Sequence, residues 1–205
     1  MKIEKTLSTK TRTRRELIIR AALACFTEIG YAATNMADIR SRSGASTGSI
    51  YHHFKSKEQL ARAVYLEGIR DYQEGFLSAL EKYGDASEAI LEIITYHLTW
   101  VEQNPDWSRF LFLMRHADFM GNAQDEFNVL NANFFRCVSM WFLQQVKTGS
   151  IRSMPTDLSI AVLLGPCQEY TRLYIDGKAC TPPGQAAGEL ALAAWNALRS
   201  ETSVE

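Results

Sequence analysis

Hydroxyl-bearing and basic side chains are concentrated in residues 46–57 of this 205-residue chain. Hydroxyl groups donate and accept hydrogen bonds, lysines attract phosphates, and a glycine among them permits close approach of another backbone. The side chains and the glycine in question are Ser46, Thr47, Gly48, Ser49, Tyr51, His52, Lys55 and Lys57. Their chemistry suits binding rather than catalysis, and it predicts hydrogen bonds to the phosphates and base edges of DNA.

Two short helices must position these side chains. Ile39 and Ile50 have the spacing of residues that two packed helices share, and Gly44 lies where the intervening turn needs a positive φ. Ser46 is a good N-cap for the second helix. The stretch 36–55 therefore has the pattern of a helix-turn-helix, whose second helix enters the major groove while the first braces it. A plain helical hairpin with solvated polar residues is the alternative.

The charge of the chain is unevenly distributed. The 22 Lys and Arg against 23 Asp and Glu give a net charge of -1, but residues 1–62 hold twelve basic and five acidic residues. Such asymmetry points to nucleic acid or another anionic surface as the partner of the first segment. The basic arm at residues 1–12 either takes part in that contact, ordering on DNA, or only increases solubility.

Helical periodicity runs through the whole chain. Helices are predicted over 13–29, 35–43, 46–54 and from 56 onward, then over 85–102, 106–119, 124–147, 157–176 and 185–200. No stretch shows the period-two alternation bounded by hairpin turns that strands require, so we expect an all-α fold of about nine helices. Pro166 should kink or break the helix that contains it.

The run from Glu16 to Leu60 resembles the DNA-binding domain of TetR-type transcriptional regulators. The matching positions are Phe26, Gly30-Tyr31, Thr34-Asn35, Ile39, Gly44, Ser46, Gly48, Ile50 to Phe54, Ser56 to Glu58 and Leu60. The resemblance implies a homodimer whose recognition helices read half-sites of a palindromic double-stranded DNA operator. It also implies a helix-turn-helix domain of three helices at 13–62, followed by a larger helical ligand-binding and dimerisation domain at 63–205.

Residue roles follow from the resemblance by position. It implies that Thr34 or Asn35, together with Lys57, hold phosphates. The residues that should face DNA are Thr47, Gly48, Ser49, Tyr51 and His52, and those that should be core are Ile39, Ile50 and Phe54. Arg40, Ser43 and Ala45 depart from the small or apolar residues usual in the family. Either the Arg40 side chain extends to solvent or to a phosphate, or the packing between the two helices is adjusted.

The resemblance further implies a ligand cavity between helices of the second domain, with a small, mainly apolar ligand. Apolar walls carrying a few polar groups are typical of such cavities. The candidate lining residues are Tyr96, His97, Trp100, Trp107, Phe110, Met114, Phe134 and Phe135, and further polar candidates are Asn104, Arg109, Arg115, His116, Asn131 and Asn133. Apolar stripes and small residues at 157–176 and 185–200 predict dimerisation through a four-helix bundle. Completion of the monomer core is the alternative role for these two helices.

Other kinds of site lack their signatures. The four cysteines are widely spaced and the histidines lack metal-ligand spacing, so we expect no disulfide framework, metal or cofactor. No phosphate-binding loop or nucleophile elbow is present, and no apolar run is long enough for a membrane span. We therefore predict a cytoplasmic regulator that is not an enzyme, and more specifically a repressor released by its ligand. The alternatives are a ligand-independent regulator, an activator, a helical-pocket enzyme and a protein-interaction domain.

Overall fold

The computed structural model describes the backbone of residues 2–114 and 124–200, and the side chains of residues 14–114 and 126–200. Within these ranges the chain forms nine helices: α1 (Lys2–Glu28), α2 (Met36–Ser43), α3 (Thr47–His53), α4 (Lys57–Glu81), α5 (Ala86–Gln103), α6 (Pro105–Met114), α7 (Gln124–Lys147), α8 (Thr156–Ile175) and α9 (Pro183–Leu198). Among the described residues, β-type pairing is limited to one isolated antiparallel bridge, between Ile151 and Arg199. The prediction of an all-α fold is confirmed.

One helix end differs from the sequence prediction by more than two residues, and another cannot be compared with it. α1 begins at Lys2 rather than at residue 13, so the backbone of the basic arm is helical. Residues 2–12 contain neither Gly nor Pro, so nothing in them stops a helix, although the apolar spacing that guided the prediction begins later. The expected end of the sixth helix at residue 119 lies outside the described residues.

Of the two effects predicted for Pro166, a kink or a break, the break is wrong, because α8 continues through this residue from Thr156 to Ile175. Proline removes one backbone hydrogen bond and crowds the carbonyl four residues earlier. Pro166 lies on the exposed side of α8, whereas Leu163 and Cys167 are buried on its other side. Packing of α8 against α5 and α9 thus holds the helix together across the missing bond.

The chain divides into two compact units. The first unit contains α1 to α3, α4 as far as Ile69, and α6 from Asp106; the second contains α4 from Arg70, α5, α7 from Glu126, α8 and α9. α4 therefore contributes residues to both units.

The core of the first unit joins α1, α2, α3 and α6. Ile39, Ile50 and Phe54 are buried, as the sequence pattern predicted. The Phe26 ring of α1 stacks on that of Phe110 from α6, with 5.5 Å between ring centres, and makes an edge contact with Tyr31. The two-helix motif is consequently held on a packed aromatic and aliphatic base.

The core of the second unit forms where α5 packs against α8 and α9. Small side chains on α9, Ala187, Ala191 and Ala194, are buried, which lets the helix approach its neighbours closely. The end of α9 is fixed by two backbone bonds to the loop after α7: Arg152 donates to the Leu198 carbonyl at 2.9 Å, and Ser200 donates to that of Ser150 at 3.1 Å. None of the described helices combines the length and apolar character that a membrane span requires.

Candidate functional site

Both ends of α2 are fixed by side-chain or backbone capping. The Asn35 Oδ1 atom accepts hydrogen bonds from the backbone N–H groups of Ala37 at 2.8 Å and Asp38 at 3.1 Å, while Asp38 accepts from the Asn35 N–H at 2.8 Å. Gly44 ends the helix at a φ of 62° and donates to the Arg40 carbonyl. Because this left-handed backbone conformation is strained for other residues, glycine sets the turn into the next helix.

The second helix of the motif, α3, presents most of the predicted DNA-facing residues on one exposed stretch. Ser46 caps it by accepting from the Ser49 N–H at 3.2 Å, and Ile50 anchors it in the core. The exposed residues are Ser46, Thr47, Gly48, Tyr51 and His52, whereas Ser49 is half-buried. The structure thus brings these residues together on α3, and their contact with DNA remains a prediction.

Thr34 occupies the interior rather than the surface. Its side chain is 1% exposed, and its hydroxyl donates to the carbonyls of Gly30 and Cys25, at O–O distances of 2.8 and 3.1 Å. The hydroxyl therefore ties the loop before α2 to the end of α1. Of the two residues expected to hold a phosphate, only Asn35 has an exposed side chain.

Lys57 makes contacts that the sequence did not predict. Its ammonium donates to the carbonyl oxygens of Tyr31 at 2.9 Å, Ala32 at 3.2 Å and Thr34 at 2.8 Å. An ammonium has three N–H donors, so these carbonyls use all of them. Lys57 positions the loop ahead of α2, and its contact with a phosphate stays a prediction. Lys55 is exposed and donates to the Tyr51 carbonyl at 2.8 Å.

Arg40 lies against α3 on the outer surface of the motif. Its Nη1 atom donates to the Thr47 Oγ1 atom at 3.2 Å, and the side chain is exposed. A recess of about 120 Å³ lies beside it, lined by Met36, Ala37, Arg40, Thr47, Ile50 and Tyr51. The packing between α2 and α3 therefore accommodates the arginine by directing it outward.

In the second unit, a buried histidine links three helices. His97 of α5 is 8% exposed, and its ring nitrogens lie 2.7 Å from the Tyr72 hydroxyl of α4 and 3.0 Å from the Thr171 hydroxyl of α8. Desolvation lowers the pKa of His97 to about 4, so the imidazole is neutral and has one donor and one acceptor for these hydroxyls. Burial likewise raises the pKa of Tyr72.

Gln73 carries a buried acceptor that lacks a partner. Its Nε2 atom donates to Asn131 Oδ1 at 2.8 Å, joining α4 to α7. The side chain is 5% exposed, and its Oε1 atom has no hydrogen-bond partner among the described residues. An unsatisfied buried carbonyl oxygen is unfavourable, so this position would gain from a bound donor group.

Five of the eight predicted ligand-binding residues belong to the second unit: Tyr96, His97, Trp100, Phe134 and Phe135. The Tyr96 hydroxyl donates to the Tyr72 carbonyl at 3.0 Å, and the Trp100 indole donates to the Asp71 carboxylate at 2.8 Å. Phe134 is buried against Phe76, whereas Phe135 is exposed. Tyr96, His97 and Trp100 thus surround Tyr72, which contacts all three rings.

The other three, Trp107, Phe110 and Met114, belong to the first unit. Trp107 packs over Gly68, where an added Cβ would lie 2.4 Å from the ring, and Phe110 stacks on Phe26. The structure therefore does not bring all eight residues together within one unit.

Among the further polar candidates, Asn131 pairs with Gln73, Asn133 accepts from Arg136, Asn104 donates to the Trp100 carbonyl, and Arg109 is exposed. Arg115 and His116 lie outside the described residues.

Tyr72, Gln73 and Thr171 were missed from the sequence. Gln73 falls among Ile69, Tyr72 and Phe76 at helical spacing, so a polar residue on an otherwise apolar helix face was the available signal. The part of the chain that the structure describes contains no cluster of His, Cys, Asp and Glu able to hold a metal ion, and its four cysteines are free.

Comparison with known proteins tests the overall resemblance. A sequence model described as "Bacterial regulatory proteins, tetR family" matches residues 18–64. The uncharacterized HTH-type transcriptional regulator YhgD of Bacillus subtilis is 32% identical over 175 residues, which cover 83% of this chain and 87% of that protein. The chain belongs to the TetR family of bacterial regulatory proteins. Its TetR-family relatives are transcription regulators, which confirms the prediction of a regulator rather than an enzyme.

Other TetR-family proteins match over different extents. The transcriptional repressor KstR2 of Mycolicibacterium smegmatis is 34% identical over 83 residues, 40% of this chain and 38% of that protein. The chain thus spans well under half the length of that relative. Transcriptional regulator FadR from Bacillus subtilis, in complex with stearoyl-CoA, matches with a TM-score of 0.76 and 16% identity over 87% of this chain and 96% of that one. This similarity shows that the TetR fold extends beyond the helix-turn-helix.

Proposed function

We propose that this TetR-family protein is a cytoplasmic homodimeric repressor that binds a palindromic DNA operator and is released by a small, mainly apolar ligand. The observation that carries the DNA-binding part is the capped pair α2 and α3, which exposes Thr47, Gly48, Tyr51 and His52 on one helix. The repressor KstR2 supports the negative sign of regulation.

The outer faces of α8 and α9 support the homodimer. Leu158 and Leu192 are exposed beside the small residues Ala161, Gly165 and Gly188. Apolar and small side chains of this kind permit close packing against the same helices of a second copy. A twofold axis there would place two α3 helices for two half-sites, which is the arrangement a palindromic operator needs.

The interior of the second unit supports an apolar ligand with a hydrogen-bonding group. Its described buried side chains are apolar or neutral at physiological pH, and none carries a charge. Gln73 Oε1 offers a free acceptor there, beside Tyr72 and close in sequence to Phe76. The buried part of the ligand is therefore uncharged and donates one hydrogen bond, while any charged part stays outside this interior. FadR, which is bound to stearoyl-CoA, is an example on this fold of a ligand with an apolar chain.

Release requires that the ligand and the operator favour different conformations. A ligand can shift a conformational equilibrium only by its difference in affinity for the two states. α4 belongs to both units and carries both Lys57 at its start and the Tyr72–Gln73 pair further on. The helix is one covalent connection between the units, and we propose that a change at Gln73 reaches the loop ahead of α2 through it.

DNA selection tests the operator-binding half of the proposal. Selection of bound duplexes from a random pool should yield a palindrome, and fluorescence anisotropy should show salt-sensitive binding to it. Tyr51→Ala should lower affinity for the selected DNA at least tenfold without lowering the melting temperature. Tyr83→Ala, at another exposed tyrosine, is the matched control. Recovery of no common sequence would refute the proposed function.

Ligand release is tested with stearoyl-CoA and with stearyl alcohol, an uncharged probe whose hydroxyl can donate to Gln73 Oε1. Either probe should raise the melting temperature and lower operator affinity if the interior accepts an acyl chain. Gln73→Leu should reduce the change in melting temperature and operator affinity caused by a ligand that carries an O–H or N–H donor. Gln103→Leu, at an exposed end of α5, should leave that change as it is in the wild type. A bound ligand that tightens operator binding would contradict release as the mechanism.

A further inference from the structure

Arg40 is placed beside the recognition helix by a direct side-chain contact. The Nη1 atom of Arg40 donates to the hydroxyl oxygen of Thr47, the first residue of α3, at 3.2 Å. The recess next to this pair includes Tyr51, one turn further along α3. The guanidinium therefore lies on the surface that α3 would present to the major groove, although Arg40 itself belongs to α2.

The Arg40–Thr47 pair offers mainly hydrogen-bond donors. A guanidinium has five N–H donors and no acceptor, and the Thr47 contact uses one of them. Thr47 accepts that bond through its oxygen, so its own hydroxyl hydrogen can be donated to another acceptor. In the major groove guanine offers two acceptors, N7 and O6, whereas adenine and cytosine both present an amino donor and thymine offers one acceptor beside its methyl group. A guanidinium with several unused N–H donors is therefore most complementary to guanine.

The neighbouring arginine on α2 shows that Arg40 differs from an ordinary surface cation. Arg42 forms a two-pronged ion pair with both carboxylate oxygens of Glu28, which lowers the pKa of that glutamate. Among the ion pairs of the described residues, none includes Arg40. The charge of Arg42 is compensated within the protein, whereas that of Arg40 is held in place by a neutral hydroxyl.

The geometry points to Arg40 and Thr47 as a joint reader of one guanine in each operator half-site. The resemblance implies a small or apolar residue at the position of Arg40, so the contact adds to those expected from the resemblance. The hydroxyl of Thr47 fixes the guanidinium before DNA arrives, which reduces the entropy lost on binding. This inference rests on the proposed function, because it requires that α3 enter the major groove.

The experiment compares the base preferences of the wild type, Arg40→Ala and the control Arg42→Ala. The wild-type protein first selects its operator from a random pool, and each position of that operator is then varied in an anisotropy assay. Arg40→Ala should lose about 5- to 150-fold discrimination for guanine at one position per half-site, the range that a good two-pronged contact provides. Arg42→Ala should keep every preference of the wild type.

A chemical change in the DNA gives a second measurement, and its wild-type arm requires no protein variant. Replacing the assigned guanine by 7-deazaguanine removes the N7 acceptor, so it should weaken wild-type binding and leave the affinity of Arg40→Ala unchanged. Thr47→Val should lose preference at the same position. Unchanged guanine discrimination in Arg40→Ala would overturn the inference. A uniform loss of affinity for all sequences would also overturn it, because that result indicates a phosphate contact. Failure of the wild type to select any sequence would refute the proposed function instead.

Discussion

The Lys57 ammonium lies 4.7 Å from the centre of the Tyr31 ring and also donates to the carbonyl oxygen of Tyr31. One side chain at the start of α4 thereby holds both the ring and the backbone of the loop that leads into α2. The contact combines a cation–π interaction with charge-assisted hydrogen bonds. Correct placement of the helix-turn-helix thus depends on a residue that follows the motif in the sequence.

Replacing Lys57 by Met should loosen this loop while keeping an apolar stem over Tyr31. Loss of the charge-assisted bonds to three carbonyls should lower the free energy of unfolding by about 1–3 kcal/mol. Urea denaturation measures this value. Lys55→Met is the matched control, because Lys55 is exposed and bonds only within its own stretch of chain. Equal stability of the two variants would show that Lys57 does not position the loop.

Gly75→Ala should destabilise the second unit. A Cβ at this position would lie 2.2 Å from the Tyr96 hydroxyl oxygen and 2.4 Å from the ring carbon that bears it. Since the ring is held by its bond to the Tyr72 carbonyl, we expect a loss of about 1–3 kcal/mol in unfolding free energy. Ser78→Ala, at an exposed position of the same helix, should change stability little. The Gly75→Ala effect should shrink when Tyr96 is replaced by Leu, and strict additivity in that double-mutant cycle would contradict the steric explanation.

The free energy of unfolding should fall as the pH drops below 6.5, the ordinary pKa of histidine. Burial depresses the pKa of His97 to about 4 from 6.5, so between these values the unfolded chain binds a proton that the native protein does not. The stability from this group is complete above about pH 6.5 and is lost as the pH falls toward 4, by about 3 kcal/mol over the full interval.

Denaturation at pH 7.5, 6.0 and 5.0 measures this dependence. His97→Gln should have a shallower slope than the wild type, whatever its absolute stability. His53, whose pKa is also lowered by burial, contributes with the same sign, so His53→Gln shows how much of the slope belongs to that residue. Parallel wild-type and His97→Gln curves would contradict a neutral buried imidazole.

Leu192→Glu should produce a monomer that remains folded. Leu192 is 57% exposed on α9, so a charge there leaves the protomer core intact but opposes packing against a second copy. Sedimentation measures the loss of dimer, and operator binding should fall with it because one half-site is then read alone. Leu91→Glu, on the exposed side of α5, should stay dimeric. A dimeric Leu192→Glu protein would place the interface elsewhere.

The helices and the motif could be predicted because their determinants are local. Gly44, Ser46 and the Asn35–Asp38 capping box act on backbone groups within a few residues. The helix ends that they set can therefore be predicted from residue spacing alone. The same applies to the burial of Ile39 and Ile50. Pro166 does not break α8 because tertiary packing, which spacing does not reveal, outweighs one missing hydrogen bond.

The candidate site was predicted less completely because its decisive contacts join distant parts of the chain. Lys57 contacts residue 31, and His97 links Tyr72 with Thr171. Periodicity identifies which face of a helix is buried but does not identify which helix covers it. For this reason, the aromatic residues near Trp107 and those near Trp100 looked equivalent in the sequence, although they belong to different units.

The close approach of Gly75 and Tyr96 also has an evolutionary meaning. Position 75 cannot change first: a larger residue there is accepted only after the ring at 96 has been lost, and the ring has space only while 75 remains glycine. Gly68 and Trp107 form a second such couple. In descendants of this protein, loss of the aromatic ring should therefore precede any replacement of the glycine in each couple.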